Sequence, residues 1–169
     1  MKKFIWGLLA AGLLGPAAQA AEVKVSWHEP EKFTDIRPNG YETRDAFQQR
    51  VFKEFDQMFA AQAQRLADGY LLEVTVTDLD LAGEVRPLFA RTLNDIRVVK
   101  ELYWPRMSFR YTLKDPQGKQ LAAGKEDLKD MNFMMRAGVT PGYTSFGYEE
   151  HMLRDWFHKK ERDKVFPLK

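Results

Sequence analysis

Arg106-Met107-Ser108-Phe109-Arg110-Tyr111-Thr112-Leu113-Lys114 decides the fold class of this chain. Met107, Phe109, Tyr111 and Leu113 alternate with Arg106, Ser108, Arg110 and Thr112. Successive strand residues point to opposite faces, so this segment has one apolar and one polar side. Asp115-Pro116-Gln117-Gly118 has the residue preferences of a tight turn, and Lys119 to Glu126 reads as the returning arm of a hairpin.

Working outward, Tyr70 to Asp78 alternates in the same way, with Tyr70, Leu72, Val74 and Val76 against Leu71, Glu73, Thr75 and Thr77. Val23 to Trp27 is a third alternating strand, and Ile96 to Val99 a short further one. His28 to Gly40 is a loop broken by Pro30, Pro38 and Asn39-Gly40. From Arg44 to Ala67 the apolar residues Phe47, Val51, Phe55, Met58 and Leu66 recur at helical steps, widened by Phe52 and Phe59. Thr43 suits the cap of that helix, and Gly69 suits a left-handed turn after its end. Tyr148, Met152, Leu153, Trp156 and Phe157 share half a helical wheel, predicting a second helix from Gly147 to Lys160.

Strands with one apolar face are covered on one side only. The expectation is therefore an α+β two-layer sandwich: about five strands, mostly antiparallel, with two amphipathic helices on one face. The helix between the first two strands implies a right-handed crossover that leaves those strands parallel. Residues 21–169 read as a single domain.

The first twenty residues read as an export signal. Met1-Lys2-Lys3 is basic, Phe4 to Leu14 is apolar, Gly15-Pro16 breaks the run, and Ala18-Gln19-Ala20 offers small residues for cleavage between Ala20 and Ala21. The apolar run is shorter than the ~20 residues a bilayer span requires. The expectation is a cleaved leader, with no integral membrane segment after processing. The product would be soluble in a Gram-negative periplasm.

The formal net charge of +2 on 169 residues leaves with Lys2 and Lys3, so the processed protein is neutral. No segment forms the basic stripe of a nucleic-acid binder. Residues His158 to Lys164 mix bases with acids and suit a solvated helix end. Cysteine is absent, which excludes disulfides, thiolate catalysis, thiolate metal sites and a lipid-bearing cysteine.

Familiar catalytic patterns fail on inspection. Asp78-Leu79-Asp80-Leu81-Ala82-Gly83 starts like a calcium loop, but Ala82 takes its fifth position and Phe89 its twelfth. His151 and His158 stand about 10 Å apart along one helix, too far to share a zinc ion. Ser26, Ser108 and Ser145 lie in no Gly-x-Ser-x-Gly elbow, and no phosphate-cradling glycine loop is present. No metal or cofactor is expected. Plentiful carboxylates leave a paired-acid hydrolase open.

Two long connections are candidate binding lips. Leu79 to Asp95 holds Asp80, Glu84, Arg86, Phe89 and Arg91; Asp127 to Phe146 holds Met131, Phe133, Met134, Met135, Arg136 and Tyr143. Methionines adapt to varied surfaces and arginines recognise carboxylates or phosphates. The plainer reading is that both fold over the sheet edge and bury their own side chains. Glu73, Thr75, Arg97, Ser108, Arg110 and Thr112 are expected to line a polar sheet face, either simply solvated or a platform for a protein or polysaccharide.

Several phrases carry a resemblance: Thr34-Asp35-Ile36-Arg37-Pro38, Val76 to Gly83, Asp95 to Lys100, Trp104 to Phe109, Leu128 to Met131 and Met152 to Phe157. From about Val23 to Phe157 the chain resembles a family of secreted Gram-negative proteins, domain of unknown function 3016. The resemblance implies a single periplasmic domain and no assigned catalytic residues. It matches Asp35, Arg37, Asp78, Asp80, Asp95, Arg97 and Arg106. The repeated Asp-Ile-Arg, at Asp35 to Arg37 and Asp95 to Arg97, suggests pairs that lock loops onto the sheet. A sharper reading has Arg37, Arg86 and Arg106 converging on an anionic group. The function expected is a periplasmic binding or accessory module that contacts an envelope protein or a small or polysaccharide ligand. Alternatives are a small hydrolase or lyase using Asp78 and Asp80, and an envelope scaffold. Candidate binding residues are Asp35, Arg37, Asp78, Asp80, Arg86, Asp95, Arg97, Arg106, Phe133 and Met134.

Overall fold

The computed structural model describes residues 19–38, 40, 42–87, 95–135 and 145–169. The apolar run expected of the leader, together with Phe89, Arg91, Arg136 and Tyr143, lies outside the described residues.

The elements run β1 (Glu22–Trp27), α1 (Arg44–Ala63), β2 (Leu71–Asp80), β3 (Glu84–Pro87), β4 (Asp95–Val98), β5 (Arg106–Lys114), β6 (Gln120–Lys129) and α2 (Gly147–Arg162), with single 3-10 turns at Pro30–Lys32 and Phe133–Met135. The main sheet has the order β1-β2-β5-β6. β1 runs parallel to β2, and the other pairs are antiparallel. The protein is thus α+β, as the alternation implies, but the five-stranded sheet is corrected. Four strands form a mixed sheet, and the Ile96 strand joins β3 in a separate two-stranded sheet. β3 and β4 are four residues each and half charged, too short to extend the main sheet's apolar face, and their backbones pair with one another.

Both helices cover one face. Phe109 in the middle of β5 meets Phe59 of α1 at 5.9 Å and Trp156 of α2 at 4.9 Å between ring centroids, both edge-on. Phe47, Val51, Phe55, Phe59 and Ala63 of α1 bury against Leu72, Val74, Val76, Met107, Phe109 and Leu113 of the sheet. Thr43 caps α1 by accepting from the Ala46 N–H at 3.2 Å.

α1 ends at Ala63, four residues before its expected end. Leu66 forms a bridge with Leu168, and the Ala67 N–H donates to the Pro167 carbonyl at 2.9 Å. The C-terminal tail supplies backbone partners that a further turn of helix would have used internally.

One irregularity positions everything that follows. The β2–β5 register shifts between Val76 and Asp78. Unbroken alternation would turn Asp78 and Asp80 to the same side as Val74 and Val76. The bulge resets the phase, so Leu79 is buried opposite Met107 while Asp78 and Asp80 stand opposite Ser108 and Arg106.

Candidate functional site

Past the bulge, the chain segment after β1 returns to the end of β2. The Asp35 N–H donates to the Leu79 carbonyl and the Leu81 N–H to the Asp35 carbonyl, each at 3.1 Å. Asp78 holds this return in place: it accepts from the Thr34 N–H and the Thr34 hydroxyl, both at 2.7 Å, and from the Leu79 N–H at 2.9 Å. Its oxygens are therefore committed to backbone and hydroxyl donors. Phe33 and Ile36 on either side are buried, which anchors the segment.

Arg97 reaches from β4 to the same segment. Its Nη1 donates to Asp35 Oδ2 at 3.0 Å and to the Gly83 carbonyl at 3.2 Å, and its Nη2 to the Arg37 carbonyl at 3.1 Å. The two Asp-Ile-Arg triplets are thus joined crosswise, the aspartate of the first to the arginine of the second. This is the loop-locking arrangement, between triplets and not within each. Arg97 consequently does not lie among the side chains of the polar sheet face. On that face Thr75, Arg110 and Lys125 occupy one transverse row, with Arg110 directly opposite Lys125.

These segments enclose a cleft of about 290 Å³, lined by Thr34, Asp35, Arg37, Asp80, Gly83, Glu84, Val85, Leu102, Tyr103, Trp104 and Arg106. Gly83, at φ +88°, turns the chain from β2 into β3, and its N–H donates to the Tyr103 carbonyl at 2.9 Å. Arg106 closes one side by donating from Nε to Asp80 Oδ2 at 2.9 Å, with Nη2 on the same oxygen. Arg86 donates from Nε to Glu84 at 2.7 Å and from Nη2 to the Tyr103 hydroxyl at 2.7 Å. That bond fixes the tyrosine.

Burial of the Asp80 carboxyl pushes its pKa above the ordinary aspartate value, against the opposing pull of Arg106. The Arg86 hydrogen bond, helped by Tyr103, holds Glu84 below its usual value. Beneath the cleft, Glu149 of α2 is fully buried and accepts from the Ala82 N–H at 2.7 Å. Burial raises its pKa, and the Ala82 hydrogen bond opposes the rise.

Of the candidate residues, Asp35, Arg37, Asp80 and Arg106 line the cleft, while Asp78, Arg86 and Arg97 support it. Asp95 contributes its backbone, its carbonyl accepting from the Gly40 N–H at 2.9 Å. Phe133 and Met134 lie elsewhere. Phe133 is a core residue, fully buried and edge-on to Tyr148 at 4.8 Å, so it is no part of an exposed lip. Met134 is exposed alongside Met131 and Met135. Ala20 and Ala21 precede β1 directly, and Ala21 packs against the core.

Glu149 and Tyr103 go unmarked in the sequence, and Trp104 enters only within the phrase Trp104 to Phe109, not as a candidate site residue. Glu149 had a signal: it stands three and four residues before Met152 and Leu153, on the apolar face of α2. The aromatic pair precedes β5 in a turn, where no periodicity marks it.

Among the described residues, no group of three or more histidines or acids is placed to hold a metal, and no helix is long and apolar enough to cross a membrane. No curated protein and no solved structure matches the chain. The model of one family, described as a protein of unknown function and designated DUF3016, matches residues 21–159, and the chain belongs to that family.

Proposed function

We propose that this protein is an exported binding module of the Gram-negative envelope, working in the periplasm after cleavage between Ala20 and Ala21. Its ligand or partner segment is held in the cleft between the β2 end, the β3–β4 sheet and the turn before β5. Support for export comes from the leader pattern and from the family match, which starts at residue 21, just before β1 at Glu22.

The observation that carries the binding reading is how completely the carboxylates of the cleft and its support are used for positioning. Asp78 is saturated by Thr34 and backbone donors, Asp35 is held by Arg97, and Asp80 by Arg106. Carboxylates engaged in this way shape a surface. They are poorly placed to exchange protons with a substrate.

The raised pKa of half-buried Asp80 favours a second reading, an acid/base hydrolase, because perturbed carboxyls in clefts are candidate catalytic groups. One experiment tests the binding reading. In-cell photocrosslinking from position 102, an exposed leucine at the cleft lip, is read by mass spectrometry in wild type and in Asp80→Asn. The binding module yields a reproducible periplasmic adduct that Asp80→Asn weakens in part. Loss of the adduct to background in Arg37→Gln would place the contact in this cleft. Purification of uncleaved protein from the cytoplasm, or absence of any reproducible adduct, would sink the proposal.

A further inference from the structure

Among the described residues that line the cleft, the charges pair off with one exception. Asp35 is matched by Arg97, Asp80 by Arg106 and Glu84 by Arg86. Arg37 lines the same cleft, and its guanidinium has no ion-pair or hydrogen-bond partner among the described residues; only its backbone N–H and carbonyl are engaged. Among the described residues, the cleft therefore offers one uncommitted positive charge, carried on a planar fork suited to a carboxylate.

Two aromatic residues, Tyr103 and Trp104, line the same cleft. Tyr103 is tethered through its hydroxyl to Arg86, so its ring is held without cost to an incoming ligand. Trp104 is half-buried, and no aromatic ring pairs with it among the described residues. The Thr34 hydroxyl and the lone pairs that their arginines leave unused on Asp35, Asp80 and Glu84 accept hydrogen bonds from a ligand rich in hydroxyl donors. The cleft volume, about 290 Å³, falls at the small end of ligand sites, which run from roughly 300 to 1,000 Å³. One ring fits that space.

Resting on the binding reading above, the geometry points to a sugar ring bearing a single carboxylate as the ligand of this cleft. It packs against Trp104 and Tyr103 and gives its carboxylate to Arg37. A free sugar acid and an acidic unit within an envelope glycan share this chemistry. Neutral sugars lose the Arg37 contact, and a simple carboxylate lacking the ring loses the aromatic one.

The test titrates the processed protein, residues 21–169, with D-glucuronate, D-glucose and N-acetylalanine, following cleft amide and indole resonances by NMR. Glucuronate is expected to bind about tenfold more tightly than either comparison, the ratio that one retained charge contact supplies. Arg37→Gln, at an exposed position that leaves the fold intact, should bring glucuronate down to the level of glucose without abolishing glucose binding. Trp104→Phe should keep the order, and Trp104→Ala should weaken both sugars. A glucuronate-bearing oligosaccharide binding more tightly than free glucuronate would identify the glycan as the source; equal binding would identify the free acid. The inference is overturned if no resonance shifts with glucuronate, if N-acetylalanine binds as well, or if Arg37→Gln leaves the preference unchanged. Should the in-cell adduct still depend on Arg37 while glucuronate fails to bind, the ligand class falls and the binding module stands.

Discussion

Arg97 places its Nη1 3.0 Å from Oδ2 of Asp35, sixty-two residues away, and both side chains are largely shielded from solvent. The same guanidinium donates to the backbone carbonyls of Gly83 and Arg37. One side chain thus ties the return segment after β1, the turn after β2 and strand β4 to one another.

Removing that tie leaves Asp35 shielded and unpaired, together with carbonyls that lose a charged donor. Arg97→Ala should destabilise the fold by about 2–4 kcal/mol in urea denaturation. Arg97→Lys should recover only part of the loss, because an ammonium cannot reach several acceptors in one plane. A cost below about 1 kcal/mol for the alanine variant would mean that the tie is ornamental.

Glu149 gives a pH signature. A carboxyl raised by burial makes the folded state retain a proton that the unfolded chain has released. Stability therefore falls as pH climbs from the ordinary glutamate value of 4.5 toward the raised folded value. Desolvation is the largest cause; Arg97 opposes the rise and Asp80 adds to it. Glu149→Gln keeps an oxygen for the Ala82 N–H and has no proton to lose. The stability difference should move in the variant's favour as pH rises through that interval, measured by denaturation at a series of pH values. A difference independent of pH would show that Glu149 titrates normally.

Gly83 combines φ +88° with a position where a Cβ would come within 2.8 Å of the Val98 carbonyl oxygen. Gly83→Ala should cost about 1–3 kcal/mol and loosen the β3–β4 sheet first. Faster amide exchange across β3 and β4, with β2 and β5 unchanged, is the expected pattern. Uniform loss of protection would place the strain elsewhere.

Phe55 is fully buried between Trp27 and Phe146, with ring centroids 6.2 and 5.6 Å away, whereas Phe52 stacks on Trp27 at the margin of the core. Phe55→Ala should cost about 3–5 kcal/mol and Phe52→Ala clearly less, because only the first leaves an enclosed cavity. Equal losses would contradict this placement of the core.

Periodicity explains which features were legible beforehand. β5 reads directly from its alternation, and its inward side chains are those predicted: Met107, Phe109, Tyr111 and Leu113. The phenylalanine stripe of α1 and the face of α2 read equally well, since burial of one side imposes a repeat that the residues record. The parallel pairing of β1 with β2 follows from the helix between them. β3 escapes because Glu84-Val85-Arg86-Pro87 is too short for its alternation to stand out and ends in a proline, and β4 is seen but assigned to the wrong sheet. The candidate cleft is half legible: Asp35, Arg37, Asp80 and Arg106 stand out as charges in recurring phrases, whereas Tyr103 and Trp104 sit in a turn without pattern.

The order of residues by itself determined the elements that bury a face, because a strand or helix half in water must alternate its chemistry with its own period. Only the tertiary structure decided the bulge after Val76, the crosswise Asp35–Arg97 pairing, and the guanidinium of Arg37, left without a partner among the described residues. Each is a choice of partner between segments far apart in the chain. Side-chain charge names the candidates for such pairing, but distance in the folded chain selects among them.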